Sequence, residues 1–156
     1  MAWDAVPALV RMRSRAFLAV AILGAASLAE MFGPPEVSLR VWVVPDQAVV
    51  PPGDDVPFTI FVRNEGPREI RLEFSTSCHT SFEIVDLRGD VVYHGGRHYG
   101  CLDVLTSFVL APGARRTYTW TWDRTTDDGG SIEGPAAFLI RGTFYRVPAA
   151  APVLVL

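Results

Sequence analysis

The sequence contains no lysine and only two cysteines, and just 20% of its 156 residues are charged. All 14 basic residues are arginine, and with 17 acidic residues the formal net charge is −3. Such a chain has no basic field for nucleic acid, so we expect no nucleic-acid partner. Low charge combined with 11% aromatic residues also excludes a disordered chain. The length predicts one domain with a hydrophobic core, with room for an appendage.

Sequence motifs for catalysis are missing as well. The chain has no Gly-x-Ser-x-Gly elbow, no nucleophile and base in a known pattern, and no glycine-rich phosphate loop between a strand and a helix. We therefore predict a protein that is not an enzyme and that uses no cofactor and no metal.

The charges are unevenly distributed along the chain. Residues 1–29 hold three arginines and one aspartate, whereas residues 30–156 hold the other 11 arginines and 16 acidic residues. The uncharged run AFLAVAILGAASLA, residues 16–29, directly follows the three arginines. A basic flank before an apolar run is typical of an export signal or a membrane helix. We predict a cytoplasmic flank plus apolar helix over residues 1–35, and an exported domain over residues 36–156.

Two fates of this apolar segment remain open. Cleavage after Ala29, at a small-x-small site, would release a periplasmic or secreted domain. Retention would leave a helix over residues 16–33, which spans roughly 27 Å at about 1.5 Å per residue and crosses a membrane once, with the C-terminal domain outside. The retained helix would carry a stripe of small residues for packing on another membrane helix. This stripe consists of Ala21, Ala25 and Ala29.

Beyond residue 36, apolar and polar residues alternate in short runs. The alternation is clearest at residues 69–74, and residues 116–122 place Tyr118, Trp120 and Trp122 on one face. A period of two with turns every eight to twelve residues is typical of an antiparallel β-sandwich. The expected strands are residues 37–44, 58–63, 70–74, 82–87, 91–93, 105–110, 116–122, 138–144 and 153–156.

Three short patterns invite functional interpretations that we weigh against plainer ones. Arg88-Gly89-Asp90 spells an adhesion tripeptide, but between two strands it is first a hairpin turn. Trp120 and Trp122 could line a carbohydrate groove, but the alternation favours core positions. The acidic group in the loop 123–134 lacks the regular spacing of a calcium loop and suits a solvent-exposed connection.

The two cysteines, Cys78 and Cys101, are interpreted as a disulfide, because an even pair in an exported domain is most often bonded. The bond would close a loop of about 23 residues and stabilise the fold by roughly 3 kcal/mol in the chain-entropy model. It would also brace the long loop 95–103, which lowers the ordering cost of binding. The residues of the candidate binding loop are Gly95, Gly96, Arg97, His98, Tyr99 and Gly100.

A zinc site is the alternative for the same segment. Two thiolates with imidazoles are a ligand set that zinc takes. His94 and His98 are four residues apart, but Gly95-Gly96-Arg97 between them predicts no helix that would bring both onto one face. We therefore assign no role to the histidines, which are His79, His94 and His98.

Residues 56–147 resemble the intracellular proteinase inhibitor (BsuPI-like) family. The resemblance rests on the stretches FVRN, IRLEF and FEIVD, on the turn GDVVY, and most of all on LAPG followed by YTWTWD at residues 118–123. A late Gly134 precedes the last long strand at the same place as in that family. The resemblance implies an immunoglobulin-like β-sandwich and inhibition of a proteinase. The apolar N-terminal segment and the two cysteines depart from the family pattern, and no inhibitory residue can be transferred.

Two functions follow from these features. We expect a non-catalytic, extracytoplasmic protein-interaction domain that serves as a membrane-anchored accessory subunit, with membrane-protein subunits as partners. The alternative is an exported proteinase inhibitor. Such an inhibitor needs a loop that binds the proteinase like a substrate, and residues 95–103 are the candidate.

Overall fold

The structure is a computed structural model that describes residues 38–98 and 100–156. The predicted N-terminal helix, its membrane segment 16–33, its alanine stripe and the cleavage position after Ala29 all lie outside the described residues. Within the described ranges, no helix is long and apolar enough to cross a membrane. The predicted division between residues 1–35 and 36–156 stays a prediction.

The described chain is built from ten strands and one helical turn. Each predicted strand has a counterpart whose ends agree within two residues, apart from the last strand, which begins six residues earlier than expected. The elements are β1 (Leu39–Pro45), β2 (Val49–Val50), β3 (Val56–Asn64), β4 (Ile70–Phe74), β5 (Thr80–Asp86), β6 (Val91–His94), α1 (Gly95–His98), β7 (Thr106–Leu110), β8 (Arg115–Trp122), β9 (Ala136–Phe144) and β10 (Val147–Val155).

The strands form two main sheets and one small one. The order is β1-β3-β8 in the first sheet, β2-β10-β9-β5-β6 in the second, and β4-β7 in the third. All pairings are antiparallel except that of β2 with β10, which is parallel and places Val49 opposite Leu154. The expectation of a wholly antiparallel sandwich is therefore wrong at this edge. After β1 the chain leaves the first sheet, and β2 forms an edge strand of the second sheet beside β10. The turn at Pro51-Pro52 then leads back to β3 in the first sheet.

The inward side chains of the two main sheets form one shared core. Phe58, Ile60 and Trp122 come from the first sheet, and Phe82 and Ile140 come from the second; each is at most 2% exposed. Aromatic rings pack edge to face across this interior, as in the pair Phe58–Phe82 with centroids 4.8 Å apart. A second cluster lies under the small sheet and contains Val62, Ile70, Leu72, Leu110 and Phe144.

The structure confirms two plainer interpretations. Trp122 is fully buried and Trp120 packs against the core, where its Nε1 donates to the hydroxyl of Thr80 at 3.1 Å. Arg88-Gly89-Asp90 closes the β5–β6 hairpin, and Gly89 has the positive φ of 94° that this turn requires.

Candidate functional site

The predicted disulfide between Cys78 and Cys101 is present, with Cα atoms 5.5 Å apart. It joins the β4–β5 connection to the loop that precedes β7. Hydrogen bonds reinforce the junction, because the N–H of Ser77 donates to the carbonyl of Leu102 and the N–H of Leu102 donates to the Ser77 hydroxyl, both at 2.9 Å. The two segments therefore form one cross-linked unit at this end of the sandwich.

The disulfide also overturns the zinc alternative. Both sulfur atoms are bonded to each other, so they offer no thiolate. His79 and His94 make separate contacts, the first with Thr106 and the second with Asp127. In the described ranges, no group of three or more His, Cys, Asp or Glu side chains could hold a metal ion.

The predicted binding loop begins as a helical turn, α1, which the glycine-rich sequence had led us not to expect. Gly95, the first residue of this turn, lies in close contact with Phe82. A Cβ at this position would lie 2.2 Å from Cε1 of the Phe82 ring, so only glycine fits. Because Gly95 is buried, it is a packing residue and not a contact residue. Gly96 and Gly100 are exposed, Tyr99 lies outside the described residues, and of Arg97 and His98 only the backbone is described.

The exposed apolar residues of this region lie just after the disulfide. Leu102 is 66% exposed, Leu105 is 86% exposed, and Val104 between them is 41% exposed. The backbone that presents them is held by Cys101 and by the hydrogen bonds of Leu102 to Ser77. We call residues 102–105 the apolar loop. The candidate loop predicted from the sequence ends at Gly100, just before this segment, and its role in binding stays a prediction.

An open cleft of about 510 Å³ lies beside the disulfide. Its lining comes from the end of β4, the β4–β5 connection, both cysteines, Gly96 and the β9–β10 turn. We call it the disulfide cleft. Of the predicted site residues, the structure therefore brings together Cys78, Cys101 and Gly96.

The β9–β10 turn supplies the rim of this cleft with two strained residues. Tyr145 and Arg146 connect Phe144 to its partner Val147, and both have positive φ, 45° and 67°. This is the backbone of a two-residue hairpin turn that Asn-Gly normally occupies. Non-glycine residues in this conformation cost of order 1–3 kcal/mol each. Sequence reasoning missed this turn because Tyr-Arg is not a turn signal.

Aromatic rings line the inside of the disulfide cleft. Tyr145 is 45% exposed and meets the ring of Phe74 edge to face, with centroids 5.7 Å apart. His79 lies on the other side of Phe74 at 4.4 Å, and its Nε2 is 3.0 Å from the Thr106 hydroxyl. Burial lowers the pKa of His79 below its ordinary value, and the positive charge of Arg116 lowers it further. This imidazole is therefore neutral at neutral pH, so it adds no charge to the lining of the cleft.

The second long loop, residues 123–134, is tied to the sandwich beside α1. The carboxylate of Asp127 accepts from the backbone N–H of His94 at 2.9 Å and contacts its Nδ1 at 2.5 Å. The N–H of Asp127 donates to the carbonyl of Val92 at 3.0 Å. Asp123 and Asp128 accept local hydrogen bonds from Thr125 and Thr126. These acidic residues organise the loop through hydrogen bonds.

The arrangement at this end of the sandwich is suited to recognition. His79 hydrogen-bonds with the hydroxyl of Thr106, which donates to the carbonyl of Thr76 at 2.8 Å, so the imidazole is engaged in holding the loops. The lining of the cleft combines the aromatic residues Phe74 and Tyr145 with the charged residues Glu73 and Arg146. A rigid apolar loop next to such a cleft can dock an apolar side chain or pocket of another protein.

The sequence of this chain matches the model of a known protein family. The model of the family described as BsuPI, intracellular proteinase inhibitor, matches residues 43–144. No curated protein matches the chain significantly. The match of the family model covers both cysteines, the apolar loop and strands β3 to β9.

Solved structures give weaker likenesses. A β-glucosidase from Erythrobacter marinus is 14% identical with a TM-score of 0.48, over 76% of this chain and 15% of that enzyme. A β-glucosidase from Listeria innocua in complex with gluconolactone is 9% identical with a TM-score of 0.46, over 80% of this chain and 17% of that enzyme. The CARDB domain of a Pyrococcus furiosus protein, solved with di-metal ions, is 14% identical with a TM-score of 0.43, over 76% of this chain and 88% of that domain. At these TM-scores the likenesses carry no argument about function.

Proposed function

Because this chain belongs to the intracellular proteinase inhibitor family, we propose that it is a non-catalytic protein that binds and inhibits a proteinase outside the cytoplasm. The observation that carries the proposal is the apolar loop 102–105, which is anchored by the disulfide and presents Leu102 and Leu105 to solvent. The family resemblance also implies an immunoglobulin-like variant of the sandwich, and the two main sheets with their shared core support it.

The apolar loop would work by entering the binding cleft of the proteinase. Ordering a flexible loop costs about 0.5–1.5 kcal/mol for each immobilised side chain, and a loop already cross-linked at Cys101 avoids part of that cost. Exposed leucines on a rigid backbone can fill an apolar specificity pocket. Stable proteinase–inhibitor contacts bury about 800 Å² on each partner, which exceeds what one loop offers. The aromatic rim of the disulfide cleft, with Tyr145 and Phe74, would supply the remaining contact.

The experiment is an inhibition assay with the purified full chain. Serine, cysteine, aspartic and metallo-proteinases are each titrated against a fluorescent casein substrate, and we expect one class to be inhibited at micromolar or lower concentration. The double variant Leu102→Ala with Leu105→Ala should weaken this inhibition at least tenfold. Leu87→Ala is the matched control, because Leu87 is 78% exposed in the β5–β6 hairpin and is not part of the proposed contact.

Two results would refute inhibition through this loop. The first is that no proteinase class is inhibited by a chain whose disulfide is intact by mass. The second is that the Leu87 control loses as much inhibition as the double variant, because the leucines would then act through general surface hydrophobicity.

Export of the domain is the second part of the proposal. A disulfide is typical of an oxidising, extracytoplasmic compartment, although the family is named intracellular. Residues 1–35 would supply the export signal, either cleaved after Ala29 or retained as a membrane helix over 16–33. The mass of the native chain distinguishes these forms, because a mass that lacks residues 1–29 rules out the anchor.

A membrane-anchored accessory subunit is the second candidate function, and it is favoured by the uncharged run of residues 16–29. In that case the stripe of Ala21, Ala25 and Ala29 would pack on a helix of a membrane-protein partner. Purification from native membranes in mild detergent tests it. Co-purification with integral membrane proteins supports this candidate, and a monodisperse domain without such partners argues against it.

A further inference from the structure

The outer face of the sheet β1-β3-β8 carries three arginines in one row. The strand register places Arg40 opposite Arg63, and Arg63 opposite Arg115. Like charges directly opposite each other on neighbouring strands destabilise a sheet. This row therefore costs the isolated domain stability, which makes it a candidate for a use outside the fold.

An aromatic pair forms the next row of the same face. Trp42 lies opposite Phe61, and their rings are stacked with centroids 5.1 Å apart and planes 9° apart. Arg40 lies over the Trp42 ring and Arg115 lies over the Phe61 ring, each at 5.4 Å from the ring centroid. These contacts hold the guanidinium groups against the face by cation–π attraction. We call these five residues the Arg–aromatic face: Arg40, Trp42, Phe61, Arg63 and Arg115.

The three cations have one carboxylate partner between them. Arg40 forms an ion pair with Glu65 at 3.3 Å. In the part of the chain that the structure describes, none of the ion pairs involves Arg63 or Arg115. This is notable in an acidic domain, because residues 38–156 contain 14 acidic residues against 11 arginines. Two of the three arginines in this row, Arg63 and Arg115, therefore have no carboxylate partner among the described residues.

We propose that the Arg–aromatic face docks an acidic segment of a partner protein. Arginine and the large aromatic residues are the residue types that contribute most to binding at protein interfaces. Each planar guanidinium can bind a carboxylate with two parallel hydrogen bonds. Neighbouring strands lie about 4.8 Å apart, so side chains on one short acidic stretch reach Arg63 and Arg115 together. An apolar side chain of the same segment would rest on the Trp42–Phe61 stack.

This surface is separate from the site proposed for the proteinase. Its residues belong to β1, β3 and β8, and none of them lines the disulfide cleft. The proposal therefore does not rest on proteinase inhibition, and it provides for a second partner on the same domain.

The test uses the full chain in mild detergent and a fluorescein-labelled peptide of six glutamates with one central tryptophan. We expect a rise in fluorescence anisotropy at micromolar protein concentration, which weakens at least fivefold between 50 and 300 mM salt. Arg63→Gln with Arg115→Gln should weaken binding at least tenfold. Arg68→Gln with Arg71→Gln is the matched control, since it removes the same charge from two exposed positions elsewhere. Trp42→Ala reports separately on the apolar contact and should weaken binding several-fold.

Four outcomes would overturn the proposal. The first is that the fluorescence anisotropy of the peptide does not change at millimolar protein. The second is that the Arg63/Arg115 variant and the control lose the same affinity for the peptide, which would show only general charge attraction. Tighter binding of a DNA oligonucleotide or of phosphatidylglycerol vesicles than of the peptide would assign the face to another class of partner. Self-association in sedimentation that the Arg63/Arg115 variant abolishes would identify a second copy as the occupant. Thermal unfolding of each variant confirms that it is folded.

Discussion

The side-chain amide of Asn64 donates a hydrogen bond to the carbonyl oxygen of Leu110 at 2.9 Å, across 46 positions of sequence. The same amide donates to the carbonyl of Arg68 at 2.7 Å, and the Asn64 side-chain oxygen accepts from the N–H of Gly66 at 2.9 Å. Asn64 is fully buried, so these partners replace water completely. One side chain therefore holds the β3–β4 turn against the end of β7.

Replacing Asn64 with alanine should lower the free energy of unfolding by about 2–4 kcal/mol. The substitution leaves the carbonyl oxygens of Leu110 and Arg68 and the N–H of Gly66 without this partner. A buried unsatisfied group costs about 1–3 kcal/mol, and the part-buried groups of Arg68 and Gly66 cost less because water can reach them. Urea unfolding followed by tryptophan fluorescence measures the change. Thr117→Ala, on the exposed face of β8, should change the value by less than 0.5 kcal/mol. A loss below about 1 kcal/mol for Asn64→Ala would mean that water replaces these hydrogen bonds.

Removing the disulfide with Cys78→Ser and Cys101→Ser should cost roughly 3 kcal/mol of stability, because the bond constrains the unfolded chain over a separation of 23 residues. The domain should still fold, since the Ser77–Leu102 hydrogen bonds and the core remain. Urea unfolding of the double variant and of the reduced wild type should agree within about 1 kcal/mol. If the double variant is as stable as the oxidised wild type, the bond constrains binding loops only and not the fold.

Exchanging the strained turn for one that suits the backbone should separate stability from binding. Tyr145→Asn together with Arg146→Gly should raise the free energy of unfolding by about 1–2 kcal/mol, because both positions have positive φ. The same variant should inhibit the target proteinase less well, because the exposed ring at the rim of the disulfide cleft is lost. Unfolding and inhibition measured on one preparation give both values. Unchanged inhibition in a stabilised variant would show that the turn makes no contact.

The stability of the domain should fall as the pH is lowered from about 7 towards 5, with a contribution from His79. Burial and the charge of Arg116 lower the pKa of His79 below its ordinary value of 6.5 in the folded state. In the unfolded chain the imidazole binds a proton at its ordinary pKa. The unfolded state therefore binds more protons in this range, and acidification favours it.

His79→Phe isolates this contribution, because phenylalanine can keep the contact with Phe74 but cannot be protonated. The free energy of unfolding of the variant should depend less steeply on pH between 7 and 5 than that of the wild type. Urea titrations at half-unit pH intervals provide both curves. Parallel curves would show that His79 has the same pKa in the folded and unfolded states.

The strands of the sandwich could be predicted closely from the sequence, because alternation with a period of two reports directly which side chains face a core. Residues 70–74 were predicted with the observed bounds. The two-residue strand β2 and the start of β10 were not. Val49–Val50 is too short to show a period, and the Pro-Ala-Ala-Ala-Pro run of β10 has little contrast between its two faces.

The candidate site was only partly predictable, because its parts come from four separate segments. The disulfide was predicted because the chain has two cysteines and an apolar N-terminal segment typical of export, and the structure confirms the bond between Cys78 and Cys101. The turn at Tyr145 and Arg146 has positive φ at both residues, which the residue types Tyr and Arg do not predict. The exposure of Leu102 and Leu105 could not be predicted from the sequence either, because an apolar residue such as leucine is normally predicted to be buried.

The sequence by itself determined the all-β class, most of the strands, the disulfide and the family, because these depend on local alternation, on turn residues and on the pairing of two cysteines. Only the tertiary structure decided which surfaces are available for binding. It removed Gly95 from the contact surface by packing it under Phe82, and it placed Arg40, Arg63 and Arg115 in one row. These arginines are paired through strand register across 23 and 52 positions of sequence, and register is set by the whole sandwich and not by any one segment.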